Sequence, residues 1–192
     1  MQSKNGYVFD TTCLNYLALI DSLYLLEKQL SACFIPQEVK KEIDRGILEF
    51  PDIKSKLEVI QQATWLCELR IEEPDDLVLF EELKLRWGKK DRNNGEAAAI
   101  VLARRHNLIA VIDEDTGRTA AKSLGVTCVG TVGLLVRFAA LGVVSTDVAW
   151  QLHEQITGLP SGAFRSLIKD RAGFEELVGS FTTKLSSGEN IL

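Results

Sequence analysis

The alternation of helical and extended segments in the second half of the chain constrains its fold more than any other sequence feature. Residues 95–106 form a predicted helix that is apolar on nearly every side, and residues 108–112 form a predicted apolar strand. A helix over 115–124, a strand over 126–129 and a helix over 131–141 follow. Strands separated by helices of about ten residues are typical of βαβ units. The pattern therefore predicts an α/β fold with a short parallel sheet.

The first half of the chain contains further segments of the same kind. Residues 6–10 and 32–35 are predicted strands, and residues 65–71 are ambiguous but compatible with a short strand. Pro36 is expected to open a helix over 37–43, because the first helical position needs no N–H donor. Apolar spacing predicts three more helices, over residues 14–26, 46–62 and 74–87. The first is expected to break near Asp21, and the second is expected to be irregular near Pro51.

Length and composition narrow the class of protein. The chain has 192 residues, of which 46% are apolar, so it can bury a sizeable core and is not a disordered protein. Its formal net charge of −5 argues against a protein that coats nucleic acid by bulk positive charge. A local acidic site that holds cations remains compatible with this charge.

The cysteine spacing, the N-terminal segment and the longest apolar run together predict a cytoplasmic protein. Four cysteines are widely scattered, so neither a zinc site nor a CxxC redox motif is present, and buried thiols are expected at Cys13, Cys33, Cys67 and Cys128. The N-terminus does not resemble a signal peptide. Arg137 and several glycines interrupt the longest apolar run, which argues against a membrane span.

Carboxylate side chains gather where the predicted strands end. Asp10 follows the first strand, and Asp113, Glu114 and Asp115 follow the strand at 108–112. Glu96 lies in the first turn of the apolar helix that precedes that strand. Parallel α/β sheets bind ligands beyond the carboxyl ends of their strands. Hard cations such as Mg²⁺ and Mn²⁺ prefer oxygen ligands, so these acids are candidate metal ligands.

Each of these acids also has a purely structural interpretation. Asp10 can be an ordinary turn residue, and Glu96 can complete a capping box at the start of its helix. Asp115 can be the N-cap of the next helix, and Glu114 is expected to be solvated. Asp113 is the hardest to explain structurally, because it directly follows an apolar strand.

Histidine-based chemistry is not expected. The chain has two histidines, His106 and His153, and both are predicted to lie on the surface. His153 and Glu154 lack the second histidine of an HExxH zinc motif, since Thr157 stands in its place. The glycines of residues 130–133 are expected to form a tight strand-to-helix turn.

Five segments occur in an order and spacing that are more specific than any of them alone. They are VFDTTCL (8–14), IPQEVKKE (35–42), NGEAAAI (94–100), VIDE (111–114) and VGTVGLL (129–135). Over residues 6–143 the chain resembles the PIN-domain nucleases, and most closely the bacterial and archaeal branch that includes VapC-like toxins. The resemblance implies a PIN-like three-layer fold, in which helices flank a short parallel sheet, for a domain over 1–143. A helical C-terminal extension is predicted over 144–192.

The resemblance implies a metal-dependent ribonuclease. Asp10, Glu96 and Asp113 fall on acidic positions of the family and would be catalytic, metal-binding residues. Glu114 or Asp115 would be the fourth acid. One or two Mg²⁺ or Mn²⁺ ions would activate water and neutralise the phosphate. Thr11 or Thr12 would place a hydroxyl beside the first aspartate.

The same resemblance suggests partners. RNA is the expected substrate, and an antitoxin protein is a further candidate partner. Independently of the resemblance, a second copy of the chain is a candidate partner and no membrane is expected to be involved. Four basic residues could steer the RNA backbone or be ordinary solvated side chains, namely Lys89, Lys90, Arg92 and Arg118. The apolar faces of the extension could pack on the domain, form a dimer or receive an antitoxin.

Two other functions compete with this hypothesis. A non-catalytic PIN-like module would bind RNA or protein without metal-dependent turnover. A small-molecule phosphohydrolase would act on phosphomonoesters and leave RNA intact. Substitution of Asp10 and Asp113 distinguishes the nuclease from the first alternative, and the choice of substrate distinguishes it from the second.

Overall fold

Five parallel strands build the sheet of the computed structural model, which describes residues 6–30, 32–88, 93–159 and 168–187. The strands are β1 (Tyr7–Phe9), β2 (Cys33–Pro36), β3 (Leu66–Leu69), β4 (Ile109–Val111) and β5 (Cys128–Val129). Their order in the sheet is β3-β2-β1-β4-β5, and every neighbouring pair is parallel. The predicted α/β fold with a parallel sheet is confirmed, and the ambiguous residues 65–71 contain the strand β3.

Helices connect the strands of the first compact unit, residues 1–129. They are α1 (Thr11–Leu19), α2 (Tyr24–Gln29), α3 (Gln37–Glu49), α4 (Lys54–Gln61), α5 (Pro74–Trp87), α6 (Asn94–His106) and α7 (Asp115–Ser123). A 3₁₀ turn, Pro51–Ile53, separates α3 from α4. The break predicted near Asp21 is present, because Asp21 adopts a left-handed backbone conformation between α1 and α2.

Helix α6 forms the centre of the core in this unit. Residues 97–103 are all buried, and α6 packs against β1, β2 and β4 as well as against α3, α5 and α7. Four of these seven residues are alanines, whose small side chains let several elements approach the helix closely. The prediction of a helix that is apolar all round is therefore confirmed, and its burial orients the first turn, which carries Glu96.

The register of the sheet aligns the residues that follow two central strands. Phe9 of β1 pairs with Val111 of β4, and the Asp10 backbone N–H donates a hydrogen bond to the Val111 carbonyl at 3.0 Å. Since both strands run in the same direction, Asp10 and the segment after β4 lie at one edge of the sheet. This is the edge at which parallel α/β proteins bind their ligands.

The second compact unit, residues 130–192, contains α8 (Thr131–Ala140), α9 (Thr146–Thr157) and α10 (Arg171–Ser186). These three helices pack on one another. The strand-to-helix turn predicted at residues 130–133 is present, with Gly130 as the N-cap of α8. The domain boundary predicted at residue 143 falls inside this unit and stays a prediction.

His153 is buried, so its predicted surface location is wrong. Its side chain is 2% exposed, and its ring stacks on Trp150 with centroids 4.9 Å apart. Phe174 of α10 lies against both rings, at centroid distances of 5.7 Å from Trp150 and 5.8 Å from His153. Burial lowers the pKa of His153, which favours the neutral imidazole that an aromatic environment accommodates.

Several predicted element boundaries are also corrected. Pro36 ends β2 and is the N-cap of α3 instead of its first helical residue. Gly46 does not begin a new helix, because α3 continues through it to Glu49. Cys67 is exposed and Cys128 is half-buried, so burial holds only for Cys13 and Cys33. Within the described parts of the chain, no helix is both long enough and apolar enough to cross a membrane.

Candidate active site

Asp10 is fixed at the junction of β1 and α1. It is the N-cap of α1, and its carboxylate accepts a hydrogen bond from the Thr12 backbone N–H at 3.3 Å. The cap of α1 is therefore Asp10 itself. Only 3% of Asp10 is exposed, which is unusual for an ordinary turn residue.

Burial makes Asp10 a weak acid. Its pKa rises from 3.8 to about 7, chiefly because burial disfavours the charged form and secondly because the negative charge of Glu42 lies nearby. Hydrogen bonds from the backbone of Thr11 and Thr12 oppose this rise. A cation at this carboxylate would restore the ionised form.

Glu96 is the second buried acid. It is 3% exposed, and its Oε2 atom is buried without a hydrogen-bond partner among the residues that the structure describes. The capping-box interpretation is wrong, because Asn93, the N-cap of α6, has a left-handed backbone and makes no side-chain cap. The pKa of Glu96 rises to about 8, first through burial and then through the charges of Asp10, Glu114, Glu42 and Asp113.

Two glycines leave room for these acids. A Cβ atom at Gly95 would lie 2.7 Å from Oδ1 of Asp10 and 2.9 Å from Cγ2 of Val39. A Cβ atom at Gly117 would lie 2.8 Å from Cγ2 of Ile112 and 3.5 Å from Oε2 of Glu96. The start of α6 can therefore approach Asp10 only because residue 95 has no side chain.

Glu42 joins the site and was missed as a site residue in the sequence. The Thr11 hydroxyl donates a short hydrogen bond to its Oε2, and the Gly95 backbone N–H donates to its Oε1 at 3.1 Å. Glu42 thus connects α1, α3 and the start of α6. One signal was available, since Glu42 lies three residues after the buried Val39 and therefore on the same face of α3.

Asp113 lies just past β4 and is half-buried. Its charge acts on Glu96 and on the buried phenol of Tyr16, whose pKa rises to about 12 through burial first and Asp113 second. The structure thus brings four acids that are buried or half-buried into one electrostatic environment. We refer to them as the acid cluster: Asp10, Glu42, Glu96 and Asp113.

The two candidates for a fourth acid differ in their surroundings. Glu114 is exposed, yet its charge contributes to the raised pKa of Glu96. Asp115 has a side chain that is 91% exposed and forms an ion pair with Arg118. It is the first residue of α7 and not its N-cap, which is Glu114. Of the basic residues expected to steer RNA, Lys89, Lys90 and Arg92 lie outside the described residues.

The donor set fits a hard divalent cation, although the side chains are not gathered around one point. Among the described residues, no group of three or more His, Cys, Asp or Glu side chains has an arrangement ready to hold a metal ion. The carboxylates point to different hydrogen-bond donors: Glu42 accepts from Thr11 and Gly95, and Asp10 accepts from the Thr12 backbone. Like charges without a cation repel one another, and the unpartnered Oε2 of Glu96 is the acceptor that a cation would satisfy.

The comparison with protein families decides the identity of the fold. A family model described as PIN domain matches residues 6–158. The chain belongs to the PIN-domain family. The PIN-like three-layer fold expected from the sequence is thereby confirmed, and PIN domains are generally nucleases that act on nucleic acids with divalent metals. No curated protein and no solved structure matches the chain.

Proposed function

We propose that this PIN-domain protein is a divalent-metal-dependent endoribonuclease that hydrolyses RNA phosphodiesters with Mg²⁺ or Mn²⁺. The observation that carries the proposal is the buried Glu96 carboxylate, whose Oε2 lacks a partner in the described structure and which lies beside the buried Asp10. Burying an acid without a partner destabilises a fold, so a ligand that satisfies it offers a reason for its presence.

The acid cluster would hold the metal through Asp10, Glu96 and Asp113, with Glu42 or Glu114 as a further oxygen donor. When bound, the metal supplies a hydroxide-forming water and offsets phosphate charge. The chain's own contribution is placement. The N-cap bond fixes Asp10, the buried helix α6 fixes Glu96, and Thr11 holds Glu42 through its hydroxyl. Because Asp10 and Glu96 have raised pKa values, metal binding must displace protons from them and strengthen as pH rises.

A finer part of the proposal concerns biological role. We infer a VapC-like toxin that an antitoxin protein holds inactive in the cytoplasm, which follows from the sequence resemblance alone. The toxin role is supported if a pull-down retrieves a small protein encoded beside this chain. Co-expression of that small protein should then restore the growth of cells that express this chain.

RNA cleavage with added Mn²⁺ or Mg²⁺ tests the enzymatic proposal. The wild-type protein is expected to cleave RNA internally, and Asp10→Asn and Asp113→Asn are each expected to reduce the rate by at least ~100-fold, because loss of groups that merely support a metal ligand already costs ~10–100-fold. Asp75→Asn removes an exposed acid from α5 and serves as a matched control that keeps full activity.

The outcomes separate the competing functions. Cleavage that both substitutions leave unchanged contradicts the site assignment. Folded protein that binds RNA without metal-dependent turnover indicates the non-catalytic module. Activity on phosphomonoesters without activity on RNA indicates the phosphohydrolase.

A further inference from the structure

A cavity of about 460 Å³ opens beside the acid cluster, between α1, α3 and α4. The buried side chains of Ile43 and Leu57 line its apolar part. Gly46 brings the helices close together there, since a Cβ atom at this position would lie 3.1 Å from Cδ1 of Leu57. The volume falls within the roughly 300–1,000 Å³ of typical small-molecule sites.

Polar and aromatic groups complete the lining of this cavity. Asn15 of α1 contributes an amide whose Oδ1 is buried and has no hydrogen-bond partner in the described structure. Arg45 and Glu49 of α3 are exposed, and Phe50 at the end of α3 is 55% exposed. An aromatic ring, an unsatisfied amide, one cation and the two acids Glu42 and Glu49 therefore surround an apolar floor.

Glu42 links the cavity to the acid cluster. Its side chain lines the cavity, while its carboxylate accepts hydrogen bonds from Thr11 and Gly95 and its charge raises the pKa of Asp10. A ligand in the cavity would thus lie one side chain away from the acids. Because the cavity lies beside the acid cluster, one nucleotide of a substrate can occupy the cavity while its phosphate reaches the acids.

We propose that the cavity binds one nucleobase of single-stranded RNA, an inference that rests on the proposed nuclease function. Single-stranded bases are recognised by stacking on aromatic side chains and by hydrogen bonds to their edges. Phe50 provides the stacking surface, Arg45 provides positive charge for the adjoining phosphate, and Asn15 meets the base edge. Because Oδ1 of Asn15 needs a donor, it is available to the exocyclic amino group of adenine, cytosine or guanine and to the N3–H of uracil.

Binding of the four nucleoside 5′-monophosphates to the metal-free protein tests this inference without turnover. The wild-type protein is expected to bind all four monophosphates in calorimetric titrations, because each base presents an N–H donor. Phe50→Ala is expected to weaken all four by about 5- to 160-fold, which corresponds to the ~1–3 kcal/mol of base–aromatic stacking. Asn15→Leu removes the amide acceptor and is also expected to weaken the binding of all four nucleotides.

Leu48→Ala is the matched control for Phe50→Ala. Leu48 is also a large exposed apolar side chain near the end of α3, at 84% exposure, and is not part of the cavity lining. The inference is overturned if no monophosphate binds, if Phe50→Ala binds as the wild type does, or if Leu48→Ala weakens binding equally. Should Asn15→Leu fail to fold, the exposed Phe50→Ala variant and its control still decide the result.

Cleavage assays distinguish failure of this inference from failure of the proposed function. Monophosphates that bind with the expected pattern while no RNA is cleaved support the cavity and contradict the nuclease. RNA that Phe50→Ala and Asn15→Leu cleave with wild-type KM supports the nuclease and contradicts the cavity. A raised KM with a nearly unchanged kcat in both variants supports both.

Discussion

Glycine at position 95 determines whether Asp10 can occupy its place. In Gly95→Ala the new Cβ atom would lie 2.7 Å from Oδ1 of Asp10, so the carboxylate or the start of α6 must shift. A misplacement of this size is expected to lower kcat of RNA cleavage by about 100-fold. Gly179→Ala is the control, because Gly179 also lies in a helix and has nothing within 4 Å of its Cβ position. Equal activity in Gly95→Ala and the wild type would contradict the proposed geometry.

The buried acids at positions 10 and 96 predict how stability depends on pH. Their folded pKa values, about 7 for Asp10 and about 8 for Glu96, lie above the ordinary 3.8 and 4.5. Between about pH 4 and pH 8 the unfolded chain ionises these groups while the folded chain keeps their protons, so the free energy of unfolding falls as pH rises. Below this range both states are protonated, and above it both are ionised, so the contribution no longer changes.

Thermal unfolding of metal-free protein across this pH range measures the effect. Asp10→Asn and Glu96→Gln are expected to flatten the profile, whereas Asp75→Asn leaves it as in the wild type. Added Mn²⁺ is expected to raise the melting temperature most at the alkaline end, because it binds the ionised, folded form. A wild-type stability that increases from pH 5 to pH 8 would contradict the burial of these acids.

Helix α10 illustrates how one element depends on a single buried ring. Phe174 is fully buried against Trp150 and His153, so Phe174→Ala is expected to destabilise the second compact unit by about 3–5 kcal/mol. Leu177 on the same helix is 40% exposed, so Leu177→Ala is expected to cost less than about 1 kcal/mol. Urea unfolding followed by tryptophan fluorescence measures both, and equal losses would contradict the packing of α10.

Helices were predicted correctly where the signals for their start, end and burial lie within the helix or next to it in the sequence. The bounds predicted for α5, residues 74–87, agree with Pro74–Trp87, because Pro74 and Gly88 mark its start and end. The helix α6 was predicted from its continuous apolar run. Boundaries around Gly46 were wrong, because a glycine that fits against Leu57 does not end a helix. Sequence alone cannot distinguish a glycine that breaks a helix from one that permits close packing.

At the scale of the whole molecule, the meeting of Asp10 and Asp113 was predictable because the ends of neighbouring strands bring them together. Asp10 and Asp113 follow neighbouring strands, so a parallel sheet predicts that they meet at one edge. Glu42 was missed because its contact with Gly95 joins residues 53 positions apart and depends on how α3 packs against α6. His153 was assigned to the surface because its burial depends on Phe174, which a different helix supplies.

The dependence of RNA cleavage on Mn²⁺ concentration tests the central claim most directly, because it reads the acid cluster and the chemistry together. Wild-type protein is expected to cleave RNA with saturable Mn²⁺ dependence. Glu96→Gln is expected to lose at least ~100-fold in rate and Glu42→Gln about 10–100-fold, whereas Asp44→Asn, an acid of α3 that hydrogen-bonds to Gln61, keeps wild-type activity. Cleavage that needs no metal, or that Glu96→Gln leaves intact, would contradict the account.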